Sequence, residues 1–123
     1  MQWNKANTKL KGDYTEDIAK QYLINNKLKI LTQNFHCRYG EIDLIAKSEN
    51  TIVFIEVKYR SKNQFGGAIA AVSAMKQQKI RATAQFFLQQ QRLNEYNTDC
   101  RFDVIAIDGC ISTPEITWLP NAF

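Results

Sequence analysis

Gly40-Glu41-Ile42-Asp43-Leu44-Ile45-Ala46-Lys47-Ser48-Glu49-Asn50-Thr51-Ile52-Val53-Phe54-Ile55-Glu56-Val57-Lys58-Tyr59-Arg60 places two β-branched, aromatic-containing runs on either side of the polar cluster Ser48-Glu49-Asn50, which is the pattern of a β-hairpin. Side chains alternate faces along a strand. Glu41, Asp43 and Ile45 are therefore expected on one face of the first strand, and Ile52, Phe54, Glu56 and Lys58 on the same face of the second. With Glu49-Asn50 as the two turn residues, Ser48 faces Thr51, Ala46 faces Val53, Asp43 faces Glu56 and Glu41 faces Lys58. Directly opposed side chains lie about 4.5–5.5 Å apart at Cβ, and like charges so placed destabilise a sheet unless something positive sits between them. A divalent cation between Asp43 and Glu56 is the natural candidate.

The competing reading is a solvated face, with Glu41 and Lys58 as an ordinary cross-strand salt pair. Against it, the same face carries Ile45, Ile52 and Phe54, and the opposite face carries Ile42, Leu44, Val53, Ile55 and Val57. Both faces look covered. Unpaired buried charge is costly, and ionisable groups in perturbed surroundings gather at functional sites, so a metal site is the reading adopted.

An acidic residue on one strand followed by Glu-x-Lys on the next resembles the PD-(D/E)xK nuclease superfamily, which includes restriction endonucleases and Holliday-junction resolvases. The match is closer to the YraN-like family of predicted bacterial endonucleases. Its pattern appears as Gly12 with Glu16, Gly40 to Ala46, Phe54-Ile55-Glu56-Val57-Lys58 followed by Arg60, Arg101-Phe102-Asp103 and the closing Ala122-Phe123. Ile42 stands where the superfamily label has its proline. The resemblance implies a restriction-endonuclease-like three-layer α/β sandwich, a central mixed β-sheet flanked by helices. It also implies an Mg²⁺- or Mn²⁺-dependent endonuclease acting on DNA, with a homodimer suggested by resolvase-like relatives.

The 123 residues, 45% of them hydrophobic, suffice for one domain with its own core; it is expected over residues 12–123, behind a mobile polar arm at 1–11. A net charge of +4 suits a nucleic-acid partner without requiring one. Its distribution is more informative. No Asp or Glu occurs from Val57 to Asn94, where Lys58, Arg60, Lys62, Lys76, Lys79, Arg81 and Arg92 all fall, so positive charge that could hold a polyanion collects just downstream of the carboxylates. Cys37, Cys100 and Cys110 show no CxxC spacing and read as free thiols of a cytoplasmic protein. The single histidine, His36, adjoins Cys37, which argues against zinc and against a Ser/His/Asp or Cys/His hydrolase. The apolar runs are too short to span a bilayer.

In chain order, a helix is expected over 13–26 with Asp13 as N-cap and Glu16 as its reciprocal partner. Glu16 has a second reading, since the resemblance places a glutamate here that reaches the metal site. Residues 28–37 read as a strand leading to Arg38, either phosphate-facing or solvated. A polar connector at 61–67 precedes a helix over 70–92, whose spacing aligns Ile69, Val72, Lys76, Ile80, Thr83 and Phe87 with Ala84 and Leu88 beside them. Lys76 in that stripe is either a snorkelling lysine or, as the resemblance implies, a group at the site's edge. Arg101 and Asp103 open a buried strand as structural ion pairs, with phosphate binding by Arg101 as the alternative, and a last strand follows around 116–119.

The expected activity is hydrolysis of nucleic-acid phosphodiesters, and the similarity to resolvases implies branched or processed DNA as the substrate. Asp43 and Glu56 would bind the metal, with Glu41 or Glu16 completing its shell through water. Lys58 would orient or deprotonate the attacking water. Arg60, Lys62, Lys76, Lys79 and Arg81 would contact nucleic acid. A nucleic-acid-binding accessory protein that keeps the fold but cleaves poorly is the alternative.

Overall fold

A computed structural model describes residues 5–60, 72–110 and 112–123, with side chains over 14–59, 72–109 and 112–123. Seven elements follow one another: α1 (Lys5–Asn25), β1 (Lys29–Cys37), β2 (Gly40–Ser48), β3 (Thr51–Arg60), α2 (Ala74–Gln90), β4 (Asp99–Cys110) and β5 (Thr113–Leu119). The strands form one five-stranded sheet in the order β1-β2-β3-β4-β5. β3 and β4 are parallel and the other neighbours antiparallel. Parallel neighbours need a crossover, and α2 lies in it. The chain is thus a mixed α/β structure.

Each face of the sheet carries a helix, because the strands alternate. Leu44, Ala46, Val53, Ile55, Ile105 and Ile107 pack with Ala19 and Leu23 of α1. Ile45, Ile52, Phe54, Val104 and Ala106 pack with Ile80, Ala84, Phe87 and Leu88 of α2. The expected helical stripe is the buried face of α2 from Ile80 to Leu88, while Ile69 falls outside the described residues.

α1 departs from expectation. It begins at Lys5 instead of Asp13, so part of the expected arm is helical and Asp13-x-x-Glu16 lies inside the helix, where neither residue caps an end. Residues 5–12 contain no proline, and their lysines, alanine and leucine are good helix formers that continue the helix outward. It closes where Lys27 takes φ 72° and Leu28 N–H donates to the Leu23 carbonyl, a left-handed C-terminal stop. α2 starts later than expected, on Ser73, whose Oγ accepts from Lys76 N–H at 3.2 Å.

The hairpin register is as read from Ser48↔Thr51 to Leu44↔Ile55, where the ladder ends, so the expected ladder pairs Asp43↔Glu56 and Glu41↔Lys58 do not form. One face assignment is corrected. Ile42 belongs to the α2-side core and not with Leu44 and Val53. On β1, Asn34 lies between the pairs Gln33↔Leu44 and Phe35↔Ile42 with φ 53°, so alternation breaks on both strands at the level of Asp43.

Gly40 lets α2 sit close over the start of β2. Its φ is 151°, and a Cβ there would lie 3.3 Å from Thr83 Oγ1 and 3.5 Å from Lys79 Cβ. Across the sheet, Asp103 is fully buried. It accepts from Arg101 Nε at 3.1 Å, Trp118 Nε1 at 2.8 Å and Asn121 N–H at 3.0 Å. The Arg101–Asp103 pair is therefore structural, and it ties β4 to β5 and to the chain beyond it.

Candidate active site

The β2–β3 ladder opens where the carboxylates are. Its last pair is Leu44↔Ile55. Val57 N–H, which a continued ladder would direct at Ile42, instead donates to Asp43 Oδ2 at 2.8 Å. β3 remains paired with β4 through this stretch, including Glu56↔Val104 and Lys58↔Ala106, so the opening lies on the β2 side alone.

Both helices reach it. Lys76 of α2 places Nζ 2.7 Å from Glu56 Oε1, and Lys58 Nζ lies 3.5 Å from the same oxygen. Glu56 is itself buried. From the other face, Glu16 of α1 is close enough for its charge to act on Asp43, and its Oε2 atom is buried. Asp43, Glu56, Lys58, Lys76 and Glu16 thus gather in one place.

Their electrostatics are uneven. Burial, then the negative charge of Glu56, pushes the Asp43 carboxyl up to about 7; Glu16 adds to this, and the Val57 N–H and Lys76 offset part of it. Burial and the neighbouring Lys76 push the Lys58 ammonium down. Burial opposes the charge on Lys76 too, but its contacts with Glu56 and Lys58 outweigh that and raise its pKa. Two lysines of one type are thereby driven in opposite directions.

The remaining expected residues lie elsewhere. Glu41 pairs with His36 of β1, its Oε2 3.4 Å from Nδ1, and both are exposed. It does not face Lys58, because the ladder has already ended. Lys79 is exposed beside Gly40. Arg81 lies over Phe102 at 4.8 Å and Phe123 at 5.6 Å. Two positions along a helix rotate by about 200°, so Lys79 and Arg81 flank α2 on different sides and the basic segment is not one surface. Lys62 and the Arg60 side chain lie outside the described residues. The Val57 amide was missed, since a backbone donor leaves no mark in a sequence.

Residues 15–107 match the uncharacterised protein family UPF0102. The chain belongs to this family. A UPF0102 protein of Colwellia psychrerythraea is 55% identical over 113 residues, covering 92% of this chain and 88% of that one. One from Vibrio campbellii is 48% identical over 111 residues, 90% and 89% of the two chains. One from Legionella pneumophila is 44% identical over 117 residues, 94% and 96%.

In this UPF0102 chain Glu41 stands with His36 and away from the carboxylate pair, and among the described residues no group of three His, Cys, Asp or Glu side chains is placed to hold an ion. The pair Asp43 and Glu56 still suits Mg²⁺, which commonly takes one or two carboxylates and fills its sphere with water and substrate phosphates. Burial is the first cause of the raised Asp43 pKa, and the charges of Glu56 and Glu16 add to it while Lys76 offsets only part; a cation beside Asp43 and Glu56 would relieve that repulsion, so the donor set fits one. Among the described residues, no helix is long and apolar enough to cross a membrane, and Cys37 and Cys100 are free thiols.

A pH dependence follows. The folded Asp43 carboxyl titrates near 7 against an ordinary 3.8, so between these values the folded chain holds a proton that the unfolded chain has released. Asp43 therefore weighs against folding increasingly as pH rises from about 4 to about 7, without further change above. A cation favours the ionised form. Mg²⁺ affinity is expected to rise by up to about tenfold per pH unit below 7 and to level off above it, with proton release on binding. Calorimetric Mg²⁺ titrations from pH 5.5 to 8.5 in buffers of different ionisation enthalpy check both.

Proposed function

We propose that this protein is a metal-dependent nuclease with a restriction-endonuclease-like fold of the PD-(D/E)xK kind, hydrolysing phosphodiester bonds of nucleic acid, most naturally DNA. The observation that carries the reading is the opened ladder, where Asp43 takes the Val57 N–H and stands beside Glu56, which two lysines contact. The helix–sheet–helix layering and the Glu56-Val57-Lys58 motif support it.

Asp43 and Glu56 would hold Mg²⁺ or Mn²⁺, with Glu16 near enough to contribute charge. Such an ion supplies neutralisation of the scissile phosphate. Lys58, beside Glu56 and with its charged form disfavoured, orients or deprotonates the attacking water. Lys76 holds its proton. It neutralises Glu56 and would present a fixed positive charge to a substrate phosphate held beside the carboxylates. A lysine is required at position 58 for this division, because arginine there is too basic to exchange a proton.

The test is a cleavage assay on linear, flapped and four-way DNA and on RNA, with Mg²⁺, Mn²⁺ or EDTA. Cleavage that needs the ion and stops in EDTA is the expected result. Purified protein that binds nucleic acid but cuts none of these with either ion would replace this reading by that of an accessory binding protein.

A further inference from the structure

The β1–β2 turn carries an aromatic and basic surface that the cleavage chemistry leaves unused. Arg38 and Tyr39 are the two residues between β1 and β2. Tyr39 is 41% exposed, yet it is held from two sides. Its ring meets Phe86 of α2 edge-on, with centroids 6.2 Å apart. The Arg38 guanidinium carbon lies 4.8 Å from the ring centroid, and Arg38 Nη2 donates to the Tyr39 hydroxyl at 2.7 Å. Phe35 backs the arrangement, 6.3 Å from Phe86. A tyrosine so fixed loses little further freedom when something stacks on it.

This surface is continuous with the carboxylate site. Gly40 follows Tyr39 and lies against Lys79. A cavity of about 320 Å³ is lined by Gly40, Glu41, Met75, Lys76, Lys79 and Ile80, among others, and the Glu41 carboxylate on its rim is paired with His36. Lys76 is at once a wall of this cavity and the partner of Glu56. The path from Glu56 to Tyr39 thus runs past Lys76, the cavity and Lys79, giving two ammonium groups suited to a phosphate backbone and then an aromatic face beside a guanidinium suited to a base. The more exposed Tyr96 has no such connection, since it follows the C-terminal end of α2.

We propose that Tyr39, steadied by Arg38 and Phe86, is a stacking platform for an unpaired nucleobase of the substrate, whose backbone crosses Lys76 and Lys79 from the carboxylate pair. This rests on the nuclease reading and sharpens it. The substrate class becomes single-stranded, frayed or branched nucleic acid, because a base inside a continuous duplex is already stacked on both faces and has none to offer Tyr39.

Fluorescence anisotropy in EDTA on the full chain tests this, with a labelled single-stranded oligonucleotide and a blunt duplex of the same sequence. Tyr39→Ala is expected to weaken single-strand binding by about tenfold or more, Tyr39→Phe to keep it within about twofold, and Arg38→Gln to weaken it in the same direction, with duplex binding unchanged throughout. Circular dichroism confirms that each variant is folded, and the Phe and Gln variants preserve the test if Tyr39→Ala is not. Binding unaffected by Tyr39 or Arg38, or lost equally for single strand and duplex, overturns the platform. Cleavage by wild type is scored separately with Mg²⁺ and Mn²⁺. Cleavage with Tyr39-independent binding overturns the platform alone. Tyr39-dependent single-strand binding without cleavage supports the platform and overturns the nuclease reading, and wild type that binds neither DNA overturns both.

Discussion

Asp43→Asn is expected to lower metal-dependent cleavage by at least about a thousandfold while leaving the fold intact. A metal ion at such a site supplies several kcal/mol of charge stabilisation to the transition state, and each 1.36 kcal/mol is about a factor of ten, so loss of a charged ligand reaches that scale. The fold survives because the asparagine carbonyl can still accept the Val57 N–H that holds the ladder open. Stability above pH 7 is expected to rise, since the removed charge is the one that burial, Glu56 and Glu16 disfavour. Metal-free nucleic-acid binding is expected to hold or tighten as repulsion of phosphate is relieved. A nicking assay, thermal melts at pH 6 and pH 8 and anisotropy in EDTA check the three parts. An asparagine variant that cuts as well as wild type would remove Asp43 from the chemistry and with it the nuclease reading.

Asp103→Ala acts on the fold instead. The side chain is fully buried and accepts from Arg101, from the Trp118 indole and from the Asn121 amide. Alanine leaves the Arg101 charge and two N–H donors without their acceptor. Breaking a buried ion pair from one side costs about 3–5 kcal/mol, a large share of the roughly 5–15 kcal/mol that stabilises a domain. Urea unfolding followed by tryptophan fluorescence is expected to show a loss of unfolding free energy of that size, read as a lowered midpoint at unchanged slope, accompanied by loosening around Trp118, which also packs edge-on against Tyr22 of α1 at 6.3 Å. A loss under 1 kcal/mol would mean that water replaces the carboxylate at little cost.

Legibility in the sequence varied residue by residue. A two-residue turn sets the pairing on either side of it, so Ser48↔Thr51 and Ala46↔Val53 followed from Glu49-Asn50 alone. The α2 core from Ile80 to Leu88 followed from helical spacing. Lys76 was visible as an odd charge in that stripe, but its partner was not, because a helix face has no record of which strand residue it will meet. Glu41 was misplaced for a related reason: pairing it with Lys58 extended the ladder past the point where Val57 turns to the Asp43 side chain. Ile42 went to the wrong face because strict alternation assumes a regular pleat, which Asn34 and its neighbours on β2 do not keep.

Periodicity and turn chemistry are local, and they determined by themselves the order of helix, three strands, helix and two strands, the hairpin register as far as Leu44↔Ile55, and the presence of Asp43, Glu56 and Lys58 in one neighbourhood. The tertiary structure decided what depends on contacts between distant segments. It brought Glu16 and Lys76 from opposite layers to the same opening, sent Glu41 to His36, and separated Lys79 from Arg81 around α2. It also set the charge states. The positions of Asp43 and Lys58 in the chain do not reveal that one carboxyl is pushed up to about 7 and one ammonium pushed down. Burial and neighbouring charge cause those shifts, and both exist only once the sheet is closed between its two helices.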